Sequence, residues 1–143
     1  MIVGVHVYLR MNGTGKEAIA FYEDALEAVV LGVQTFGELP KNPEFPLPDE
    51  AKDRVLHAQL KVGNTFLMLS DIFPGQPYEL GSQVNVAITL NDVEKSKDVY
   101  EKLQQGGEVL MPLAETPWSP SYGQVKDKFG VTWQISTNGD DSM

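Results

Sequence analysis

Two similar stretches decide the fold: residues 3–13, V-G-V-H-V-Y-L-R-M-N-G, and residues 82–92, S-Q-V-N-V-A-I-T-L-N-D. Each alternates in polarity and then runs into a segment with helical spacing, which is typical of a strand followed by a helix. Each unit closes with a strand of the same type, at 65–71 and 131–137. The order strand, helix, three strands therefore occurs twice. It predicts an α+β fold in which two βαβββ units pair into a curved mixed β-sheet around a central cavity.

The domain organisation follows from this repeat. We expect one domain over residues 1–143, with units at about 1–71 and 83–137. The linker, 72–82, contains Pro74, Gly75 and Pro77, which interrupt regular structure. The length suits one hydrophobic core and leaves no room for a separate cofactor domain.

Composition excludes several classes of function. The chain has 20 acidic and 11 basic residues, a formal net charge of −9, so its surface repels phosphate backbones and nucleic acid is not an expected partner. There is no cysteine, hence no disulfide framework and no thiolate chemistry. We see neither a leader pattern nor an apolar run of about eighteen residues. A cytoplasmic protein without a membrane partner is therefore expected.

Local sequence patterns predict where the helices, loops and strands begin and end. Thr14 and Glu17 match a capping box, and Asp92 repeats the same helix-start logic in the second unit, where Gly106-Gly107 end the helix. Prolines predict long loops at 37–53 and 112–121. The predicted strands are 3–11, 29–36, 55–62, 65–71, 83–90, 108–111, 122–126 and 131–137.

The predicted strands share one asymmetry. Side chains alternate across a strand, so each strand presents an aliphatic face and a face that mixes polar and aromatic residues. A few polar groups among aromatic ones are the usual lining of a small-molecule pocket. The alternative is that the mixed face meets water, as in many antiparallel sheets. The mixed faces include His6, Tyr8, Arg10, Phe66, Met68, Asn85 and Gln134.

Four segments, in order, carry a family resemblance. They are Tyr8-Leu9 with Asn12-Gly13; the helix segment 17–22, E-A-I-A-F-Y; the hairpin from His57-Ala58 to 67–71, L-M-L-S-D; and 127–135, D-K-F-G-V-T-W-Q-I. Together they resemble the vicinal oxygen chelate superfamily of glyoxalase I, extradiol dioxygenases and bleomycin-resistance proteins, and more closely its PhnB-like branch. The likeness covers nearly the whole chain and implies the paired βαβββ fold and a homodimer. Some PhnB-like relatives carry a methyltransferase label, which nothing in this sequence supports because it has no glycine-rich strand–helix loop.

The resemblance also points to metal-ligand positions. Enzymes of the superfamily bind a divalent metal with one residue from each of four strands, usually His, Glu, His or Gln, and Glu. Carried over, those places fall on His6, Met68, Asn85 and Gln134. Only His6 is a strong ligand for such a metal, since a thioether is soft and the two amides are neutral. We therefore expect no metal and no cofactor, and the superfamily's usual general base is also missing.

Five further residues have open interpretations. His57 is an acid–base candidate or a hydrogen-bonded structural residue, and Arg10 either pairs with an anionic ligand or is a solvated strand end. Trp118 is either a lid over the pocket or a hydrophobic pin for its loop. Asp71 is expected to cap loop backbone, and Trp133 to lie in the core.

The leading hypothesis is a PhnB-like, metal-free protein that binds a small molecule of unidentified structure, with no catalytic residue assigned. Three alternatives stay open. One is an enzyme, either of lyase, isomerase or dioxygenase type with atypical metal ligands or with His6 or His57 as base. The others are a drug-sequestering resistance protein and a structural or regulatory protein with a collapsed cavity. The candidate ligand-binding residues are His6, Tyr8, Arg10, His57, Phe66, Met68, Asn85, Trp118 and Gln134.

Overall fold

The structure, a computed structural model, describes residues 1–41 and 43–138. The chain divides into two compact units, Met1–Tyr78 and Glu79–Met143, with the boundary inside the predicted linker. Each unit contains one α-helix and one four-stranded mixed sheet. The predicted α+β class and the duplicated strand–helix–three-strand order are confirmed. Within the described residues, no helix has the length and apolar character needed to span a membrane.

Unit 1 contains β1 (Val7–Met11), α1 (Gly15–Leu26), β2 (Val29–Thr35), β3 (Val55–Val62) and β4 (Thr65–Asp71). Its strand order is β1-β4-β3-β2, with β1 parallel to β4 and the other pairs antiparallel. The proline-rich loop after β2 contains two short 3-10 turns.

Unit 2 repeats this arrangement with β5 (Val86–Leu90), α2 (Val93–Leu103), β6 (Glu108–Thr116), β7 (Ser119–Lys126) and β8 (Thr132–Thr137). Its strand order, β5-β8-β7-β6, matches that of unit 1 position by position, and β5 is parallel to β8. The sequence repeat is therefore a repeat of topology.

Each helix buries one face. In α2 the helical spacing of the sequence predicts a buried stripe of Ser96, Val99, Tyr100 and Leu103, and the structure confirms it. The Asp92 side chain caps the helix by accepting from the backbone N–H of Glu94 at 3.2 Å. In α1 the sequence spacing predicts a buried stripe of Ala18, Phe21, Tyr22, Ala25 and Leu26; in the structure Ile19 joins this stripe and Phe21 is only half-buried. The buried helix residues are Ala18, Ile19, Tyr22, Ala25 and Leu26 in α1, and Ser96, Val99, Tyr100 and Leu103 in α2.

Asp71 organises the start of α1. Its Oδ1 accepts from the backbone N–H groups of Gly13 at 2.8 Å and Gly15 at 2.9 Å, and its Oδ2 accepts from Val55 N–H at 2.8 Å. The predicted capping box is wrong, because the Thr14 side chain makes no cap hydrogen bond. The carboxylate reaches across from β4 and takes the role that a local cap has in α2. A Cβ on Gly15 would lie 2.5 Å from Asp71 Oδ2, so this approach requires glycine.

Asp127 has a similar role in the last hairpin, where its carboxylate accepts three hydrogen bonds. It accepts from the backbone N–H groups of Phe129 at 2.9 Å and Val131 at 3.0 Å, and from Trp133 Nε1 at 2.8 Å. Trp133 is 1% exposed, which confirms that it is a core residue.

The predicted loop at 112–121 is wrong. β6 continues through Pro112, and β7 begins at Ser119. β6 is an edge strand, and Pro112 lies in the stretch between Met111 and Ala114 where the register shifts. A proline is tolerated at such a place because its missing N–H breaks no regular ladder bond.

The leading strands of both units are shorter than predicted. β1 begins at Val7 and β5 at Val86, so His6 and Asn85 each immediately precede a strand. Continued along the observed parallel registers, residues 3 and 4 lie opposite the turn before β4, and residues 83 and 84 lie opposite the turn before β8. A turn offers no ladder partner, so these residues stay outside the sheets.

Candidate functional site

Unit 1 presents a surface that we call the unit 1 polar face. The alternate residues, such as Ala58, Leu60 and Leu69, are buried on the helix side. The face consists of nine side chains from β1, β3, β4 and the residue before β1. They are His6, Tyr8, Arg10, His57, Gln59, Lys61, Phe66, Met68 and Ser70.

Strand register arranges these nine side chains in three rows of three. Arg10 pairs with Ser70, Tyr8 with Met68, Met68 with Gln59, and Phe66 with Lys61. Continuing the same registers by one residue places His57 opposite Ser70 and His6 opposite Phe66. The rows are therefore His57–Ser70–Arg10, Gln59–Met68–Tyr8 and Lys61–Phe66–His6.

Tyr8 connects the first two rows. Its hydroxyl donates to Ser70 Oγ at 3.0 Å and lies 3.5 Å from His57 Nδ1, at the outer limit for a hydrogen bond. The Tyr8 and His57 rings are 5.9 Å apart and tilted by 35°. The structure thus brings together Tyr8 and His57, two of the predicted ligand-binding residues, around Ser70.

The other predicted residues of unit 1 flank this group. The His6 ring meets the Phe66 ring edge-on at 6.1 Å. Met68 is half-buried between Tyr8 and Gln59. Arg10 is exposed, and its backbone carbonyl accepts a hydrogen bond from the Tyr78 hydroxyl at 2.9 Å.

In unit 2, the corresponding face carries a hydrogen-bonded chain of neutral groups. Gln124 Nε2 donates to the Tyr122 hydroxyl at 3.0 Å, and that hydroxyl donates to Gln134 Oε1 at 2.8 Å. Gln134 Nε2 in turn donates to Asn85 Oδ1 at 3.3 Å. Asn85 and Gln134 are therefore brought together, and the side-chain carbonyl oxygen of each already accepts a hydrogen bond.

Trp118 extends this chain at its outer end. It lies in the two-residue turn between β6 and β7, is 65% exposed, and packs edge-on against Tyr122 at 5.4 Å. Tyr122 is the residue that bonds to Gln134. The indole is thus tied to the polar network by a ring contact, which favours the pin interpretation.

The superfamily's metal positions do not fit a divalent ion. Met68 supplies a thioether, and the oxygens of Asn85 and Gln134 accept hydrogen bonds from other side chains. None of the four positions carries a carboxylate, so nothing there balances the charge of the ion. Among residues 1–41 and 43–138, no group of three or more His, Cys, Asp and Glu side chains is placed to bind a metal.

Two cavities in unit 1 lie apart from the polar face. The larger, about 540 Å³, is formed by the proline-rich loop and is lined by Phe36, Leu39 and Phe45 among others. The smaller, about 300 Å³, has a charged lining that includes Lys16, Asp53 and Arg54. Neither cavity is lined by a predicted ligand-binding residue.

The geometry can now be set beside known proteins. The family model described as the Glyoxalase/Bleomycin resistance protein/Dioxygenase superfamily matches residues 4–135, nearly the whole chain. The chain belongs to this superfamily. The match spans both units, as expected for a family built on this duplication, and it confirms the resemblance that the four sequence segments carry.

Individual proteins are similar to this chain over nearly its whole length. Protein YjdN of Escherichia coli strain K12 is 31% identical over 138 residues, which cover 90% of this chain and 91% of YjdN. Protein PA1353 of Pseudomonas aeruginosa is 30% identical in its crystal structure, with a TM-score of 0.80 and coverage of 94% of this chain and 98% of PA1353. The PhnB protein of Bacillus cereus, 24% identical with a TM-score of 0.76, covers 93% of this chain and is itself 98% covered, and it shares the fold.

Five residues of the two faces are absent from the predicted site: Gln59, Lys61, Ser70, Tyr122 and Gln124. Ser70 accepts from Tyr8, and its place on the mixed face of β4 could have indicated it. Tyr122 and Gln124 join the unit 2 network, and their i, i+2 spacing places both on one face of β7. Both residues lie in the predicted strand 122–126, so the sequence already carried that signal.

Proposed function

We propose that this superfamily member is a PhnB-like protein that binds a small molecule without a metal ion. The observation that carries the proposal is the bond between Asn85 and Gln134, within a chain of neutral groups. Each of the two residues lies at a superfamily metal-ligand position, and the side-chain carbonyl oxygen of each already accepts a hydrogen bond. Binding an ion with these side chains would disrupt their hydrogen bonds, and neither side chain would supply a negative charge to balance that of the ion.

The unit 1 polar face supports the binding part of the proposal. Tyr8 is 46% exposed, so its ring and hydroxyl are accessible, and His57 and Ser70 converge on it. A few polar groups set among aromatic side chains are typical of small-molecule sites. The central cavity, the homodimer and the cytoplasmic location stay predictions, and size-exclusion chromatography with light scattering tests the dimer.

Metal analysis tests the first part. The purified protein is incubated with excess zinc, nickel, manganese or ferrous ions, separated from free ion by gel filtration and submitted to elemental analysis. We expect far less than one equivalent per chain and an unfolding temperature unaffected by a chelator. About one tightly held ion per chain would overturn the metal-free proposal.

Fragment binding tests the second part. Small aromatic amides and acids are titrated into ¹⁵N-labelled protein, and we expect shifts at the backbone amides of Tyr8, His57 and Ser70. Tyr8→Phe should weaken binding because it removes the hydroxyl and keeps the ring. Tyr100→Phe is the matched control, since it removes a phenol hydroxyl on the helix side of unit 2. A fragment set that shifts none of these amides would contradict binding at this face.

The enzyme alternative rests on one contact, His57 Nδ1 at 3.5 Å from the Tyr8 hydroxyl. A histidine beside a phenol is a reasonable acid–base pair. If His57 is a base, His57→Gln abolishes turnover of a substrate that it still binds. If the protein only binds, the same change alters affinity and no turnover exists to lose.

A further inference from the structure

We infer that the unit 1 polar face binds a small organic anion, with a carboxylate or phosphate group held at the Arg10 end. The inference rests on the proposed small-molecule function and adds the charge of the ligand. Three observations carry it: the charges on the face, the lack of local partners for those charges, and the geometry of the row that contains Arg10.

The charge on this face is opposite to that of the chain. Acidic residues outnumber basic ones by 20 to 11 in the sequence. Yet the nine side chains of the face include Arg10 and Lys61 with the imidazoles of His6 and His57, and no Asp or Glu. A local region of one sign in a protein of the other sign attracts ligands of the opposite charge.

The two cationic side chains of the face also lack carboxylate partners in the part of the chain that the structure describes. Within the described residues, neither Arg10 nor Lys61 has a carboxylate within 4.0 Å. Some cations elsewhere on the surface do have such partners: Lys52 lies 2.8 Å from Asp49, and Lys97 lies 3.6 Å from Glu94. A guanidinium without a carboxylate partner is free to accept one from a ligand, and its planar fork suits the two oxygens of such a group.

The first row gives the anion its other contacts. Neighbouring strands lie about 4.8 Å apart, so Arg10 and His57 flank Ser70 from the two adjacent strands. Ser70 accepts from Tyr8 and keeps its own hydroxyl proton to donate. Ser70 is 8% exposed and forms the floor of this row, so an anionic group above it would meet Arg10 on one side and His57 on the other. The Phe66 and His6 rings in the third row would contact an apolar body of the ligand.

This arrangement argues against a cationic drug at the same face. A cation there would meet Arg10 and Lys61 with no carboxylate to receive it. The sequestration hypothesis with a cationic antibiotic therefore has no support from unit 1.

Four probes that share a phenyl ring and differ in the charge of their polar group test the inference: benzoate, phenyl phosphate, benzamide and benzamidinium. Each is titrated into ¹⁵N-labelled wild-type protein, Arg10→Met and Lys97→Met. Both variants change the net charge from −9 to −10, and only the first alters the face. We expect at least one anion to bind, with shifts at residues 8–10, 57–61 and 66–70 and an affinity that falls with added salt. Arg10→Met should weaken that binding about tenfold or more, while Lys97→Met leaves it within about twofold.

The other outcomes overturn the inference. It fails if benzamide or benzamidinium binds as tightly as the anions, if neither anion binds, or if the two variants weaken binding equally. Comparison of benzoate with phenyl phosphate separates a carboxylate site from a phosphate site. A different result, stoichiometric metal in elemental analysis, would refute the proposed metal-free function. Binding of neutral benzamide at this face as tightly as the anions would refute only the anion inference. Spectra of the unliganded variants establish that both are folded.

Discussion

Asp71 is the residue whose replacement should destabilise unit 1 most, because one buried carboxylate satisfies three backbone donors. Gly13, Gly15 and Val55 donate to it at 2.8–2.9 Å, and the residue is 4% exposed. Leaving a buried donor unsatisfied costs about 1–3 kcal/mol. Gly13 is exposed, so water can satisfy its N–H, and the two buried donors, Gly15 and Val55, give about 2–6 kcal/mol for Asp71→Ala. This cost is a large part of the roughly 5–15 kcal/mol that stabilises a whole domain.

Asp71→Asn isolates part of this effect. Its amide oxygen can still accept from Gly13 and Gly15, while its NH₂ group replaces the oxygen that accepts from Val55 N–H. One bond is lost and two donors face each other, so we expect a loss of about 2–3 kcal/mol. Thr14→Ala is the control: the sequence places a cap there, but its side chain makes no cap bond, so its cost should be below about 0.5 kcal/mol.

Urea unfolding with two probes provides the assay. Both tryptophans, Trp118 and Trp133, lie in unit 2, so their fluorescence reports on that unit, whereas far-ultraviolet circular dichroism reports on both. If Asp71→Asn changes the free energy of unfolding by less than about 0.5 kcal/mol, or if Thr14→Ala costs more than Asp71→Asn, the account of the α1 start is wrong.

The remaining predictions concern unit 2. Burial raises the pKa of Tyr100, whose hydroxyl donates to Met111 O. The stabilising contribution of this tyrosine is therefore complete below about pH 10 and is lost as the pH rises through the raised pKa. Unfolding free energies measured from pH 9 to 11.5 should fall more steeply in wild type than in Tyr100→Phe, and equal slopes would contradict this. Tyr122→Phe breaks two hydrogen bonds and should cost about 1–2 kcal/mol in urea unfolding, whereas an unchanged midpoint would mean that the network adds no stability.

Much of the fold could be predicted because it rests on local periodicity. The alternation in β3 and β4 and the stripe Ser96, Val99, Tyr100 and Leu103 in α2 follow from spacing, and the structure has them as expected. Such patterns arise because one face of each element must leave water.

The errors occur where partners distant in sequence decide the outcome. Pro112 predicts a loop by itself, but an edge position and a register shift let the strand continue. Thr14 predicts a local cap, but Asp71, which follows it by more than fifty residues, occupies the donors. Neither edge position nor a carboxylate arriving from another strand can be read from a short window of sequence.

The sequence alone determined the duplicated βαβββ pattern, the superfamily and the unsuitable donor types at Met68, Asn85 and Gln134. These depend on residue identity and spacing, which survive without coordinates. Only the tertiary structure decided that Asn85 and Gln134 bond to each other, and that Arg10, Ser70 and His57 share a row. Hydrogen bonds and rows across a sheet depend on the register between strands, and register is set by packing of the whole unit.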